Sequence, residues 1–145
     1  MPSVRVNGIE LYYEVHGRGD WLVLSHEFSG GHKSWRPQID AFSTDHRVLV
    51  YNNRGYPPST VPDDPAAYSQ EQSIEDLRAL LDHAGVERPV LIGFSMGGSI
   101  VLNFALAHAA RVRALVLAGT GTGSIDKEQN ARDFRPIAHR FIKEG

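Results

Sequence analysis

The stretch VLIGFSMGG, residues Val90–Gly98, decides how this chain folds. It begins as a short apolar run bounded by glycine, which predicts a buried strand. Residues 99–109 are apolar almost all round, as in a buried helix. Ser95 therefore lies at a strand-to-helix junction. Gly93 and Gly97 flank it, so the backbone turns sharply and a neighbouring element approaches without a Cβ in between.

The G-x-S-x-G spacing around Ser95 indicates a nucleophile elbow, a turn that presents a serine hydroxyl at the carboxyl end of a sheet. The helix that follows contributes free N–H groups and the positive end of its dipole, both directed at the place where an oxyanion would form. The alternative is a glycine-rich turn in which Ser95 is only an N-cap. The predicted strand, the predicted helix and Gly98 together favour the elbow.

Composition is that of a single globular domain: 145 residues, 41% of them apolar and 22% charged. A net charge of −2 gives no electrostatic reason to expect a nucleic-acid partner. The absence of cysteine excludes disulfides, thiolate metal sites and a cysteine nucleophile. The N-terminus has no apolar signal-like run, and no window is long enough to span a bilayer. We expect a soluble, cytoplasmic protein.

In the first half of the chain, the sequence predicts several strands and one helix. Residues 4–15 alternate between apolar and polar on both sides of Asn7-Gly8, which predicts a β-hairpin with one buried face. Trp21–Ser25 is continuously apolar in character and predicts a strand covered on both faces, and Arg47–Tyr51 predicts another buried strand. Between them, a predicted helix carries an apolar stripe at helical spacing, namely Trp35, Ile39 and Phe42.

The middle of the chain holds a loop and a second helix. Residues 55–68 contain four prolines, too many for a helix or a central strand. Ser69-x-x-Gln72 has the spacing of a capping box, which predicts that a helix begins there, and Gly85 ends it. The apolar stripe of this helix consists of Ile74, Leu77, Leu81 and Ala84.

Val112–Ala118 predicts one more buried strand, so strands and helices alternate along most of the chain. This alternation predicts an α/β fold, a three-layer sandwich in which helices cover both faces of a mostly parallel sheet. The run Gly119-x-Gly121-x-Gly123 lacks the lysine of a phosphate-binding loop, so nucleotide binding is not expected. We place the core at residues 1–124. Residues 125–145 predict a basic amphipathic helix that packs on its own protein rather than on a membrane.

With these elements in place, the sequence resembles the α/β-hydrolase superfamily. The resemblance rests on three segments at the family's positions: His26-Glu27-Phe28 in the oxyanion loop, Asn53-Arg54-Gly55-Tyr56 in the turn after the fourth strand, and Gly93–Gly98 at the elbow. It covers the first six strands of the fold and what looks like the start of a helical cap at 125–145. Serine at the elbow resembles the esterase, lipase, carbon–carbon hydrolase and cofactor-free haloperoxidase branches, whereas the dehalogenase and epoxide-hydrolase branches place aspartate there.

The resemblance implies a serine hydrolase that acts on an ester, thioester, amide or carbon–carbon bond of a small molecule, without a cofactor. Ser95 would be the nucleophile, and the N–H groups of Met96 and Phe28 would form the oxyanion hole. His26, Glu27 and Phe94 would contact the substrate. An acyltransferase of the same fold and a non-catalytic ligand-binding member remain as alternatives.

The family's triad acid and histidine follow later strands. Neither position exists here, so the sequence reads as part of a protein nearer twice this length. None of the seven histidines occupies the catalytic position, and spacing offers no metal site.

Two features of the sequence leave a structural question open: the glutamate at position 27 and the outer edge of the last predicted strand. Glu27 stands where the family usually has glycine, so its side chain either enters the oxyanion hole and opposes the developing charge, or turns away from it. Val112–Ala118 has no following strand to cover its outer edge, which predicts self-association through that strand.

Overall fold

The computed structural model describes residues 2–121, which form a six-stranded sheet in the order β1-β2-β4-β3-β5-β6. The strands are β1 Ser3–Val6, β2 Ile9–Gly17, β3 Asp20–Ser25, β4 His46–Tyr51, β5 Val90–Phe94 and β6 Ala114–Ala118. The helices are α1 Arg36–Phe42, α2 Gln70–His83 and α3 Met96–Ala107. Pairing is antiparallel from β1 to β2 and from β2 to β4, and parallel from β4 through β3 and β5 to β6.

Helices cover both faces of this sheet, as the sequence predicts. On one face, strand residues such as Leu49 and Leu91 pack against Leu77 of α2 and Phe104 of α3. On the other, a smaller cluster joins β3 and β4 to Trp35 and Ile39. The alternation of side chains along a strand sends successive residues to opposite faces, so a strand covered on both sides is apolar throughout.

The N-terminal hairpin forms as predicted. Asn7 and Gly8 make its two-residue turn with φ of 47° and 80°, the positive angles that asparagine and glycine adopt most readily. The turn is held by Asp76 of α2, which accepts a hydrogen bond from Asn7 Nδ2 at 2.8 Å. The hairpin is thereby fastened to the helical layer.

The helix boundaries differ from the sequence prediction in detail. Trp35 belongs to a 3-10 turn, His32–Trp35, that precedes α1, and Phe42 is 38% exposed at the end of that helix. Ser69 caps α2 by accepting a hydrogen bond from the N–H of Gln72 at 3.0 Å, but the Gln72 side chain donates to Asp76 instead of completing the capping box. Helix α3, Met96–Ala107, begins directly after Ser95, three residues before the apolar stretch 99–109 that indicates it.

The prediction of a buried last strand is wrong within the part of the chain that the structure describes. β6 begins at Ala114, and most of its residues are exposed, with Val116 at 47% and Leu117 at 41%. It pairs with β5 on one side, and no other described strand pairs with its outer edge. The 125–145 cap prediction, including its basic helix, lies outside the described residues.

Across residues 2–121 the longest helix is the 14-residue α2, and no helix there has the length and apolarity to cross a membrane.

Candidate active site

Ser95 occupies a strained turn between β5 and α3. Its backbone angles are φ 52° and ψ −113°. Asn7 is the other non-glycine residue with positive φ between residues 2 and 121. Such a conformation costs about 1–3 kcal/mol and persists where the surroundings impose it. Ser95 occupies the N-cap position of α3, but its side chain makes no capping hydrogen bond to the helix, which disfavours the alternative that it is only a cap.

The surroundings that impose this turn are backbone atoms. A Cβ on Gly97 would lie 2.0 Å from the carbonyl oxygen of Ser25, and one on Gly93 would lie 2.5 Å from that of Gly97. The first turn of α3 is therefore packed directly on the end of β3. Because Ser25 and Gly93 are paired across β3 and β5, the segments that follow these two strands leave the sheet side by side.

Two backbone N–H groups are available at this edge of the sheet. Met96 is the first residue of α3, where an N–H has no partner within the helix. Phe28 follows β3 by three residues. No hydrogen bond within the described residues uses the N–H of either one. Both groups remain available for an acceptor on a ligand.

His26 lies beneath this edge and holds two loops together. Its Nδ1–H donates to the carbonyl oxygen of Glu27 at 2.7 Å, and its Nε2 accepts from the N–H of Asn53 at 3.0 Å. Burial lowers the pKa of His26, while the bond to Glu27 and the Glu27 charge oppose that shift. The ring is fully buried and both nitrogens are occupied. This geometry favours a positioning role over the substrate contact expected from sequence.

The Glu27 side chain turns towards the 3-10 turn His32–Trp35 that precedes α1. Its Oε1 accepts a hydrogen bond from Ser34 Oγ at 2.8 Å. Its φ is not positive, so a residue with a side chain fits this backbone without strain. Glu27 and Phe94 line one cavity, whereas Phe28 and Met96 line another. The glutamate therefore does not distort the loop, and its carboxylate is on a different cavity wall from the two N–H residues.

The larger of these cavities is a cleft of about 600 Å³ that reaches the elbow at Met96. Its walls are mainly aromatic and apolar, and the first residues of α2 add hydroxyl and amide groups. Ser95 itself is not among the lining residues, which are Phe28, Asn53, Arg54, Gly55, Tyr56, Tyr68, Ser69, Gln70, Ser73, Met96 and Ile100. A small apolar molecule with a polar group fits such a cleft.

Tyr56 is a member of this site to which the sequence analysis assigned no role beyond its place in the turn after the fourth strand. Its ring makes edge contacts with His26 and Phe28, at centroid distances of 4.7 Å and 6.5 Å, and its hydroxyl donates to Met96 Sδ at 3.5 Å. Burial, with the Glu27 charge, raises the pKa of Tyr56. The sequence signal that could have identified it is an aromatic residue directly after Arg54-Gly55, because that turn faces the elbow across the edge of the sheet.

Comparison with known proteins places this geometry in a family. The sequence model described as alpha/beta hydrolase fold matches residues 20–138. A protein of Azorhizobium caulinodans named "Putative carbamate hydrolase RutD" is 37% identical over 117 residues, which are 81% of this chain and 43% of that protein. Bifunctional epoxide hydrolase 2 of Rattus norvegicus is 35% identical over 114 residues, 78% of this chain and 21% of its own length.

The solved structures agree. The enol-lactonase from Burkholderia xenovorans LB400 superposes with a TM-score of 0.88 at 33% identity, over 99% of this chain and 55% of that one. All three of these relatives are named as hydrolytic enzymes, and the chain spans less than half the length of the two sequence relatives.

Proposed function

The chain belongs to the α/β-hydrolase fold family, and from that premise we propose that it carries the nucleophile and the oxyanion-binding groups of a serine hydrolase. Its substrate is a small molecule with an ester, thioester, amide or activated carbon–carbon bond. Ser95 Oγ attacks the carbonyl carbon, its proton passes to a base, and the leaving group departs. Water then releases the acyl group from Ser95.

The observation that carries this proposal is the backbone of Ser95. A serine with φ 52° at the N-terminus of a 12-residue helix, with no hydrogen bond from its side chain to that helix, has its hydroxyl free for other chemistry. A residue that only capped the helix would need no such strain. The epoxide-hydrolase branch, to which some relatives belong by name, is expected to have aspartate at this position, so serine favours acyl chemistry over epoxide opening.

The N–H groups of Met96 and Phe28 are the proposed oxyanion donors. They project from segments that follow adjacent strands, and neither has an acceptor in the described part of the chain. His26 supports the second donor, because the Glu27 carbonyl that it binds belongs to the same peptide unit as the Phe28 N–H. Fixing that carbonyl fixes the direction of the N–H on the opposite side of the peptide plane.

The base that accepts the Ser95 proton is proposed to come from outside residues 2–121. Within that range no histidine nitrogen is hydrogen-bonded to Ser95 Oγ, and several histidines are engaged elsewhere, as His26 is with Asn53 and His32 with Asn52. A serine without an adjacent base is a weak nucleophile at neutral pH. Loss of the histidine from a serine triad lowers kcat roughly a million-fold.

The test is a burst assay with p-nitrophenyl acetate, followed by mass spectrometry of the quenched enzyme. The longest natural chain that contains this sequence should form an acyl adduct on Ser95, and Ser95→Ala should abolish both adduct and turnover. Ser99→Ala, one helical turn further along α3, is the matched control and should retain activity.

An adduct on another residue, or undiminished turnover in Ser95→Ala, would refute the proposal. Brisk turnover that depends on Ser95 in the 145-residue chain alone would instead mean that one of its own seven histidines is the base. Adding an alcohol acceptor distinguishes a hydrolase from an acyltransferase, since only the latter passes most of the acyl group to the alcohol.

A further inference from the structure

The segment that follows β6 holds the backbone of the elbow. The N–H of Ser95 donates a hydrogen bond to the carbonyl oxygen of Ala118, the last residue of β6, at 2.9 Å. The Thr120 hydroxyl lies 3.3 Å from the carbonyl oxygen of Ser95 and 3.1 Å from that of Ala118. Both main-chain groups of Ser95 are therefore in contact with the end of the neighbouring strand.

The Thr120 side chain is seated directly against the first turn of α3. A Cβ added to Gly98 would lie 1.7 Å from Thr120 Oγ1 and 2.8 Å from Thr120 Cβ. Glycine at position 98 therefore leaves the space in which the hydroxyl reaches the elbow. The contact between Thr120 and Ser95 is partly buried, so water competes with it less than at an open surface.

The Thr120 hydroxyl is a hydrogen-bond donor at this position. Both atoms that it approaches are carbonyl oxygens, which only accept, and each carbonyl oxygen has two lone pairs. The Ser95 oxygen uses one of them for the N–H of Ser99, at 3.1 Å, and the other is open to the hydroxyl. Thr120 thereby adds a side-chain bond to the backbone bonds that hold the strained residue.

The carbonyl of Ser95 and the N–H of Met96 belong to the same peptide unit. Because a trans peptide is planar, a bond that fixes the direction of the carbonyl also fixes the N–H on its opposite side. The Met96 N–H is one of the two proposed oxyanion donors and has no acceptor among the described residues. His26 has the same relation to the other donor, through the carbonyl of Glu27.

We propose that Thr120 is a positioning residue of the oxyanion hole: its hydroxyl holds the Ser95 carbonyl, and with it the direction of the Met96 N–H. Thr120 acts through this peptide and is not itself a donor to the oxyanion. Its effect on turnover rests on the proposed function. The link from the Thr120 hydroxyl to the Met96 amide does not, and is tested separately.

The kinetic test compares Thr120→Val with Thr120→Ser in the longest natural chain that contains this sequence, with p-nitrophenyl acetate as substrate. Valine has nearly the shape of threonine without the hydroxyl. Removing an oxyanion donor outright lowers kcat roughly 100- to 1,000-fold, so misdirecting one should lower it by about tenfold. KM should change little, because the interaction is made in the transition state.

Thr120→Ser keeps the hydroxyl and should restore kcat to within about twofold of the unaltered protein. Thr44→Val is the matched control, because it removes a threonine hydroxyl bonded to a main-chain carbonyl, that of Ala41, away from the elbow. It should change neither kcat nor KM.

A second measurement follows the Met96 amide directly and needs no turnover. In protein labelled with [¹⁵N]methionine, Met96→Leu identifies the backbone amide signal of Met96. Thr120→Val should shift that signal, whereas Thr120→Ser should leave it near its original position and Thr44→Val should not move it. If Thr120→Val does not fold, Thr120→Ala removes the same hydroxyl without adding a methyl group and gives the same comparison.

An unmoved Met96 signal in Thr120→Val would overturn the proposal, because the hydroxyl would then serve only the Ala118 carbonyl. Equal losses of kcat in Thr120→Val and Thr120→Ser would also overturn it, since packing rather than the hydroxyl would be responsible. A shifted signal with unchanged kcat would overturn the role in the reaction. An unaltered protein without activity would refute the proposed function, and the Met96 signal would still decide whether Thr120 positions that amide.

Discussion

Single residues at the elbow are constrained by main-chain atoms rather than by other side chains. Gly97 is the sharpest case, because an added Cβ would meet two carbonyl oxygens at the end of β3, at 2.0 Å and 2.6 Å. In an open helix, alanine would be about 1 kcal/mol better than glycine. At position 97 the steric clash of the Cβ costs more than the gain in helix propensity, so alanine should destabilise the protein.

Gly97→Ala should therefore destabilise the protein by about 3 kcal/mol or more and displace the elbow. Urea unfolding followed by circular dichroism measures the loss. Gly85→Ala is the matched control: Gly85 has φ 66° with nothing within 4 Å of a Cβ, so only the backbone conformation is penalised, by about 1 kcal/mol. Equal losses in the two variants would contradict the packing argument.

His26 gives the folding equilibrium a pH dependence with a defined sign. Its pKa is lowered in the folded state, mainly by burial, from the ordinary value of about 6.5. The neutral ring is then favoured by folding, so its contribution is complete above pH 6.5 and is lost as the pH falls towards the lowered pKa. Protonation would also remove the lone pair on Nε2 that accepts from Asn53.

Accordingly, His26→Gln should cost about 1–3 kcal/mol at pH 8, where two buried hydrogen bonds are lost or weakened. The difference from the unaltered protein should shrink as the pH falls below 6.5 towards the lowered pKa of His26. Urea unfolding at several pH values gives both quantities, and the other histidines cancel because both proteins contain them. A difference that does not change with pH would show that His26 does not titrate differently on folding.

Among the elements, those with a strong periodic pattern were predictable from sequence. The hairpin follows from strict alternation about Asn7-Gly8, and the elbow strand from its apolar run before Gly93. The start of α3 at Met96 did not follow from helix propensity, because Gly97 and Gly98 are poor helix formers. A Cβ on Gly97 would meet the end of β3, and one on Gly98 would meet the side chain of Thr120. Phe42 fits the helical spacing yet is exposed, since α1 ends there.

One element junction depends on a buried ion pair that the sequence did not reveal. Arg54, in the turn after β4, donates from Nε and Nη2 to the two carboxylate oxygens of Asp76 on α2, each at 2.9 Å. Their side chains are only 7% and 4% exposed. Residues 22 positions apart carry no periodic signal, so nothing in the sequence pairs them.

Asp76→Ala should cost about 3–5 kcal/mol, because it leaves the Arg54 charge buried and unpaired. Asp40→Ala, which breaks the exposed pair with Arg36, is the control and should cost no more than about 0.5 kcal/mol. Thermal or urea unfolding distinguishes the two. A small effect at Asp76 would mean that water reaches Arg54 readily.

For the whole molecule, β6 forms one end of the sheet, and no other described strand pairs with its outer edge. Val116 and Leu117 are exposed beside unpaired main-chain groups, the arrangement that favours edge-to-edge pairing. The 145-residue chain should therefore self-associate through this strand. Light scattering on the 16.0 kDa chain over a range of concentrations checks this.

Val116→Lys should reduce that association, whereas Val61→Lys, at a residue 52% exposed in the proline-rich loop, should not. A monomer that remains stable at every concentration would contradict the prediction.

The candidate site was predictable to the extent that it is local in sequence. Ser95 and the loop that carries Phe28 follow from short motifs. The burial of His26, the aromatic contacts of Tyr56 and the cavity shared by Glu27 and Trp35 arise from segments that meet only in the folded chain. Their roles therefore become visible only in the folded structure.

The seating of Gly97 on the end of β3 has a consequence for the energetics of the proposed reaction. That contact joins the first turn of α3, which carries Met96, to the end of β3, from which the loop with Phe28 leaves, so the two proposed donors take up their places as the chain folds. Little reorganisation then remains when negative charge appears on a bound carbonyl oxygen. The free-energy cost of positioning the two proposed donors is therefore part of folding and does not add to the activation free energy of the reaction.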